Sequence, residues 1–164
     1  MIPHPDLGAI AVNCAIITVS DTRTTVTDKS GQIIQQLLTD AGHNIIEYNI
    51  IQDEPAQIQA WLSKLDTNSE LDAIICNGGT GIAPRDTTYD VISNWLEKTL
   101  PGFGEIFRYL SYREIGSRAI ASRAVAGVKN NKLIFSVPGS SNAVKLAMNE
   151  LILPELNHLV RQLH

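Results

Sequence analysis

Two rhythms of apolar positions alternate along this chain. Val12 to Val19 (VNCAIITV) is a near-continuous apolar run, the pattern of a strand buried on both faces of a sheet. It ends at Ser20-Asp21-Thr22, and a polar loop follows from Arg23 to Ser30. Ile33, Ile34, Leu37, Leu38 and Ala41 then recur at helical spacing until Gly42 closes the segment. His43 to Ile51 predicts a second strand, and Asp53-Glu54-Pro55 supplies a cap and an early-turn proline for a helix carrying Ile58, Trp61, Leu62 and Leu65. The third strand, Ala73 to Cys76, runs into a glycine cluster, after which Val91, Ile92, Trp95 and Leu96 mark one face of another helix. Such alternation predicts right-handed crossovers and a mostly parallel α/β sheet with helices on both faces.

The pattern changes at Pro101. The segment PGFGEIFRYLSYREIGSR has two glycines near its start and then helical character, with Ser111 and Glu114 spaced as a capping box. Ala124 to Val128 and Lys132 to Val137 flank Asn130-Asn131, a pair that tolerates the positive φ of a two-residue hairpin turn, so an antiparallel edge is expected. The last strand enters Pro138-Gly139-Ser140-Ser141-Asn142. A helix with Val144, Met148, Leu151 and Ile152 follows, Pro154 kinks or restarts it, and Leu156, Leu159, Val160 and Leu163 complete a final stripe. Residues 1–10, with two prolines and a glycine, read as a loose arm, leaving 11–164 as a single domain.

In a parallel sheet successive strands end at one edge, where ligands bind. Polar clusters follow the predicted strands at Ser20-Asp21-Thr22, Asp53-Glu54, Gly78 to Asp86 and Gly139-Ser140, so the first three converge, and the fourth joins them if its strand runs parallel.

Composition narrows what can bind there. At 164 residues, 44% apolar and 18% charged, the chain has the make-up of an ordinary globular domain. A net charge of −4 argues against a nucleic-acid surface, so any anionic ligand must be caught locally. Cys14 and Cys76 lie in apolar runs with no CxxC spacing and read as reduced core residues. The start carries no secretory pattern and no apolar run approaches membrane-spanning length, which points to a cytoplasmic protein with no membrane partner.

The glycine cluster NGGTGIAPRDTT is neither a Walker A loop, since no GK[ST] follows at the required offset, nor a GxGxxG fingerprint, since Pro84 takes the third glycine's place. Gly78, Gly79 and Gly81 nevertheless let the backbone approach a phosphate closely, and Thr80 adds a hydroxyl. The bland alternative is a tight strand-to-helix turn. Asp86 and Asp53 are each candidates for a helix cap or, if they meet in space, for a Mg²⁺ site, because that ion takes one or two carboxylates and leaves its other positions to water and phosphates. Arg85 suits a developing phosphoryl charge or a solvated surface. Ser140 suits an N-cap, with a ligand phosphate at the same helix start. The four histidines have no partner at metal-ligand spacing, and Trp61 and Trp95 read as packing residues. Phe103, Phe107, Tyr109 and Tyr112, with Arg108 and Arg113, read as a subunit interface, the alternative being a helix packed inside the monomer.

These motifs carry a family resemblance. TVSDTRTTVTDKSG, NGGTGIAPRDTT, GFGEIFRYLSYREIGSRA and SVPGSSNAV, in that order from about Val12 to Leu156, resemble the MoaB/MogA family of molybdenum cofactor biosynthesis proteins, the third segment being more like the MoaB branch. The resemblance implies a three-layer α/β/α fold and a homo-oligomer, a trimer or a hexamer. It implies binding of molybdopterin and, in active members, Mg²⁺-dependent adenylyl transfer from ATP to the pterin's terminal phosphate, with pyrophosphate leaving. The two functional aspartates of the family align with Asp53 and Asp86. By the same carry-over, Gly78, Gly79, Thr80, Gly81 and Ser140 hold phosphates, while Ser20, Asp21 and Asp28-Lys29-Ser30-Gly31 line the pocket wall. Asn77 stands where Thr is usual, and Ser141-Asn142 replaces a commoner pair, but neither change removes a charged group. A non-catalytic molybdopterin-binding or carrier oligomer is the alternative, and a nucleotide-binding regulatory module unrelated to pterins ranks last.

Overall fold

The computed structural model describes residues 8–164. Its strands are β1 (Asn13–Val19), β2 (Asn44–Ile51), β3 (Ala73–Asn77), β4 (Lys98–Thr99), β5 (Val125–Lys129) and β6 (Lys132–Val137). Its helices are α1 (Lys29–Asp40), α2 (Pro55–Asp66), α3 (Thr88–Trp95), α4 (Pro101–Ile115), α5 (Ser141–Ala147) and α6 (Leu153–Arg161). A single sheet has the order β2-β1-β3-β6-β5-β4. Its first four strands are parallel, and β5 and β4 add the antiparallel edge.

Alternation along the strands divides the apolar residues between two cores. Cys14 and Ile16 of β1, Ile75 of β3 and Phe135 of β6 face one side, where Leu38 of α1, Phe107 of α4, Val144 of α5 and Leu156 of α6 close over them. Ile17, Ile74, Cys76 and Ile134 face the other, against Ile58 and Leu62 of α2 and Ile92 of α3. The result is the expected three-layer α/β/α arrangement. Strands buried on both faces need near-continuous apolar runs, and β1, β3 and β6 have them.

The hairpin prediction holds in detail: Asn130 and Asn131 both take positive φ, 45° and 59°, the conformation that matches the twist of the flanking strands. The two-residue strand β4 has no sequence signal, because both of its residues are exposed and it depends on β5 for pairing. Ser111 and Glu114 do not form a capping box. Pro101 starts α4 ten residues earlier, and the helix runs unbroken to Ile115, with Ser111 buried in its body. The final helical stretch contains a single π-turn, Met148–Ile152, immediately before α6 restarts at Leu153 with Pro154 in its first turn. Most of the expected N-terminal arm lies outside the described residues. Within it, Ile10 N–H donates to Asn157 Oδ1 at 3.1 Å, and Arg161 donates to the Gly8 carbonyl.

The aromatic cluster divides. Phe107 is 1% exposed, and Phe103 stacks on it and packs at a tilt against Phe135, so both belong to the core of the subunit rather than to an interface. Tyr109 and Tyr112, by contrast, are 60% and 61% exposed, beside Ile106, Ile115 and Ile120.

Candidate functional site

Because β2, β1, β3 and β6 are parallel, their carboxyl ends lie along one edge, and the four polar clusters meet there. A cavity of about 550 Å³ opens at this edge, within the size range of small-molecule sites. Ser20, Gly78, Gly79, Thr80, Gly81, Asp86 and Ser140 all line it.

The glycine loop owes its shape to close approaches. Gly78 and Gly79 have φ of 104° and 65°. A side chain at Gly79 would collide with Thr88 Oγ1 and Asp53 Oδ2, and one at Gly81 would stand 2.5 Å from Asp86 Oδ2. The two aspartates therefore flank the same short loop, each against one of its glycines. The Gly78 N–H donates to the Val137 carbonyl, whereas no hydrogen bond among the described residues uses the N–H groups of Gly79, Thr80 or Gly81. Successive backbone N–H groups at positive-φ glycines form an anion-binding concavity.

Neither aspartate caps the helix that follows it in sequence. Asp53 is 5% exposed and directs one oxygen, Oδ1, at the start of α3, accepting from Thr87 N–H (3.1 Å), Thr87 Oγ1 (2.6 Å) and Thr88 Oγ1 (3.2 Å). The residue before Pro55 at the start of α2 is Glu54, which makes no side-chain cap. Asp86 Oδ2 accepts from the Ala83 N–H at 3.1 Å, closing a turn inside the loop, and Thr87, not Asp86, occupies the cap position of α3. Of the pair, Asp86 lines the cavity, and Asp53 sits behind Gly79.

Other expected site residues support the wall rather than line it. Ser30 is buried and donates to the Gly139 carbonyl at 2.7 Å. Asp28 is also buried. It caps α1 through Gly31 N–H and accepts from Tyr48 Oη at 2.7 Å. Arg85 does not line the cavity: it is gripped by Asp21 at 2.7 and 2.8 Å and by Glu54 at 2.6 Å, joining three loops at the sheet edge. The hydrogen bonds from Arg85 hold the Asp21 carboxyl below its usual range. Ser140 does cap α5, accepting from Ala143 N–H at 3.2 Å, as expected.

Two cationic residues that sequence reasoning passed over do line the cavity, Arg23 and Arg118. Arg23 reaches the Gly139 carbonyl at 2.8 Å and Asp28 at 3.3 Å. Arg118 is exposed and forms no ion pair among the described residues. Asp86 is the one carboxylate among the lining residues described, against two arginines, of which Arg23 is paired with the buried Asp28 behind the wall. Ser122 Oγ, also in the lining, is buried without a hydrogen-bond partner, which marks a polar atom suited to a ligand. Arg23 opens a polar loop, and Arg118 lies on a 3₁₀ turn with no motif of its own, so position in the fold, not sequence, identifies both.

No group of three or more His, Cys, Asp or Glu side chains able to hold a metal occurs among the described residues. Two carboxylates flank the glycine loop, Asp86 in the cavity with Oδ1 uncommitted and Asp53 buried behind Gly79 with its donors all on Oδ1.

Comparison with known proteins agrees with this geometry. Residues 15–158 match a family described as a probable molybdopterin binding domain. The chain is 56% identical over 153 residues to molybdenum cofactor biosynthesis protein B of Halalkalibacterium halodurans, covering 93% of this chain and 90% of that protein. A crystal structure of a molybdenum cofactor biosynthesis protein B superposes with a TM-score of 0.92 at 49% identity, covering 94% and 97% of the two chains. The tungsten cofactor synthesizing protein MoaB of Pyrococcus furiosus superposes with a TM-score of 0.84 at 33% identity, over 94% and 98%.

Proposed function

The chain belongs to the molybdenum cofactor biosynthesis family, and from that premise we propose that its cavity binds molybdopterin and adenylylates the pterin's terminal phosphate at the expense of ATP. The supporting observation is the meeting of uncommitted glycine-loop N–H groups, a cationic rim and Asp86 in one cavity. An oxygen of the pterin phosphate attacks the α-phosphorus of ATP, the bond to the β-phosphate oxygen breaks, and pyrophosphate leaves. The N–H groups of Gly79, Thr80 and Gly81, with Ser140 at the start of α5, hold phosphate oxygens. Arg23 and Arg118 offset the charge that builds on them. Asp86, with Asp53 behind the loop, would hold Mg²⁺, which would supply neutralisation of the phosphate charge. Asp21 and Arg85 act from outside the cavity by tying the loops together. The working unit is a single domain from 11 to 164, a cytoplasmic homo-oligomer of three or six copies with no nucleic-acid or membrane partner.

Incubating the protein with molybdopterin, ATP and Mg²⁺ should release pyrophosphate, and Asp86→Asn should abolish release while leaving the melting temperature unchanged. Wild-type protein that binds molybdopterin but releases no pyrophosphate would establish the second reading, a non-catalytic carrier. That reading draws support from Asp53, whose buried carboxylate already has a structural task in holding α3.

A further inference from the structure

The glycine loop is gripped from outside by a residue that does not line the cavity. Arg123 follows the 3₁₀ turn and precedes β5. Its Nε donates to the Thr80 carbonyl at 3.2 Å, and its Nη2 donates to the carbonyls of Gly81 at 2.5 Å and Asp86 at 3.4 Å. Nη1 reaches both oxygens of Asp90, in the first turn of α3, at 3.0 and 3.1 Å. The guanidinium also lies over the Tyr89 ring, 4.7 Å from its centroid. Only a planar fork with five donors can serve three carbonyls and a carboxylate at once.

A trans peptide carries its C=O and N–H on opposite sides, so fixing one fixes the other. The Thr80 carbonyl shares a peptide with the Gly81 N–H, and that N–H is one of the uncommitted donors of a cavity-lining residue. The Asp86 carbonyl shares a peptide with the Thr87 N–H, which Asp53 accepts, so this peptide is clamped from both sides. We infer that Arg123 is a positioning residue for phosphate recognition: it binds the outward carbonyls of the loop and so holds the Gly81 N–H, and the Asp86 backbone beside it, in the orientation that meets a phosphate-bearing ligand. The inference rests on the phosphate-binding reading of the cavity given above.

Isothermal titration of inorganic pyrophosphate and of Mg·ATP into wild type, Arg123→Ala, Arg123→Lys and Asp90→Asn tests it. Arg123→Ala should weaken pyrophosphate binding roughly 10- to 100-fold, the scale of one lost hydrogen bond to a charged group. Arg123→Lys should recover part of the loss, and a low concentration of free guanidinium should recover part of it in Arg123→Ala. Amide exchange at residues 79–82 should quicken in the same order. A purely structural arginine would change the melting temperature without changing the affinity of the folded protein. If Arg123→Ala fails to fold, Arg123→Lys carries the test, because it keeps the charge and loses the fork. Equal affinity in wild type and Arg123→Lys, with Arg123→Ala equal or unfolded, overturns the role of Arg123 alone. Wild-type protein that binds neither pyrophosphate nor Mg·ATP overturns the phosphate-binding reading, and this inference with it.

Discussion

One oxygen of Asp53 accepts both the N–H and the hydroxyl of Thr87, 34 residues further along the chain. The turn after β2 thereby fixes the start of the helix after β3, and the glycine loop between β3 and that helix is held at its far end. Hydrogen bonds to a charged acceptor contribute about 1.5 to 3 kcal/mol each when removal strands their donors. Asp53→Ala should lower the unfolding free energy by about 2 to 3 kcal/mol, measured by urea denaturation. A change under about 0.5 kcal/mol, the range of ordinary surface substitutions, would remove Asp53 from this role.

Gly79 and Gly81 should respond differently to alanine. At Gly79 a methyl group meets Thr88 and Asp53 at positive φ, and all of these are packed in place, so Gly79→Ala should destabilise the fold by more than about 1 kcal/mol. At Gly81 the obstacle is the side chain of Asp86, which can swing away by giving up its one exposed hydrogen bond from the Ala83 N–H. Gly81→Ala should therefore leave the melting temperature nearly unchanged and reduce pyrophosphate release. Equal losses of stability in the two variants would show that the loop is uniformly rigid.

The exposed face of α4 and the turn after it offers Tyr109, Tyr112, Ile115 and Ile120, the last 85% exposed. Ile120→Asp combined with Tyr109→Asp should keep the circular dichroism of the parent and give smaller particles in light scattering. An unchanged mass would exclude this face from subunit contact. Phe107→Ala is a different experiment: its ring lies in the subunit core, and the substitution should cost about 3 to 5 kcal/mol of stability.

His43 gives the fold a pH dependence near neutrality. It is buried, and its Nδ1 accepts the Val12 N–H at 3.2 Å, so the ring is neutral in the native state. Burial lowers its pKa from the ordinary 6.5. In the unfolded chain the ring takes up a proton as pH falls through 6.5, while the native ring does so only at lower pH. Stability should be full above that pH and fall progressively below it, and His43→Gln should flatten the profile between pH 7.5 and 5 in thermal melts. Identical slopes would assign the pH dependence to other groups.

Cys14 and Cys76 are free, buried thiols whose pKa values burial pushes up to about 12. Alkylation at pH 8 should be slow in the native protein and fast in urea. Rapid native labelling would reveal local opening of β1 or β3.

Most of the fold was readable from residue pattern, because β1, β3 and β6 carry the unbroken apolar runs that two-faced burial demands and Asn130-Asn131 can adopt the turn it forms. The convergence of Ser20, the glycine loop, Asp86 and Ser140 was readable too, since parallel strands end together. Roles set by tertiary partners were not. Asp53 has the local look of a cap for α2, yet the donors its carboxylate accepts from lie at the start of α3, and the Arg85 side chain is held by two carboxylates from distant loops. Arg23, Arg118 and Arg123 share no spacing rule, and only the folded chain shows that two line the cavity and one grips the loop behind it.

The strand order has a temporal consequence. In the sheet β1 is flanked by β2 and β3, but Gly139, Ser140 and the carbonyl that anchors the Gly78 N–H come only with β6, which starts at Lys132, long after β3 ends at Asn77. A nascent chain emerging from the ribosome can therefore form the left half of the sheet while its ligand pocket lacks a wall. A ligand held by this cavity would stabilise the fold only once β6 has been made, so the pairing of β1, β2 and β3 has to proceed without its help.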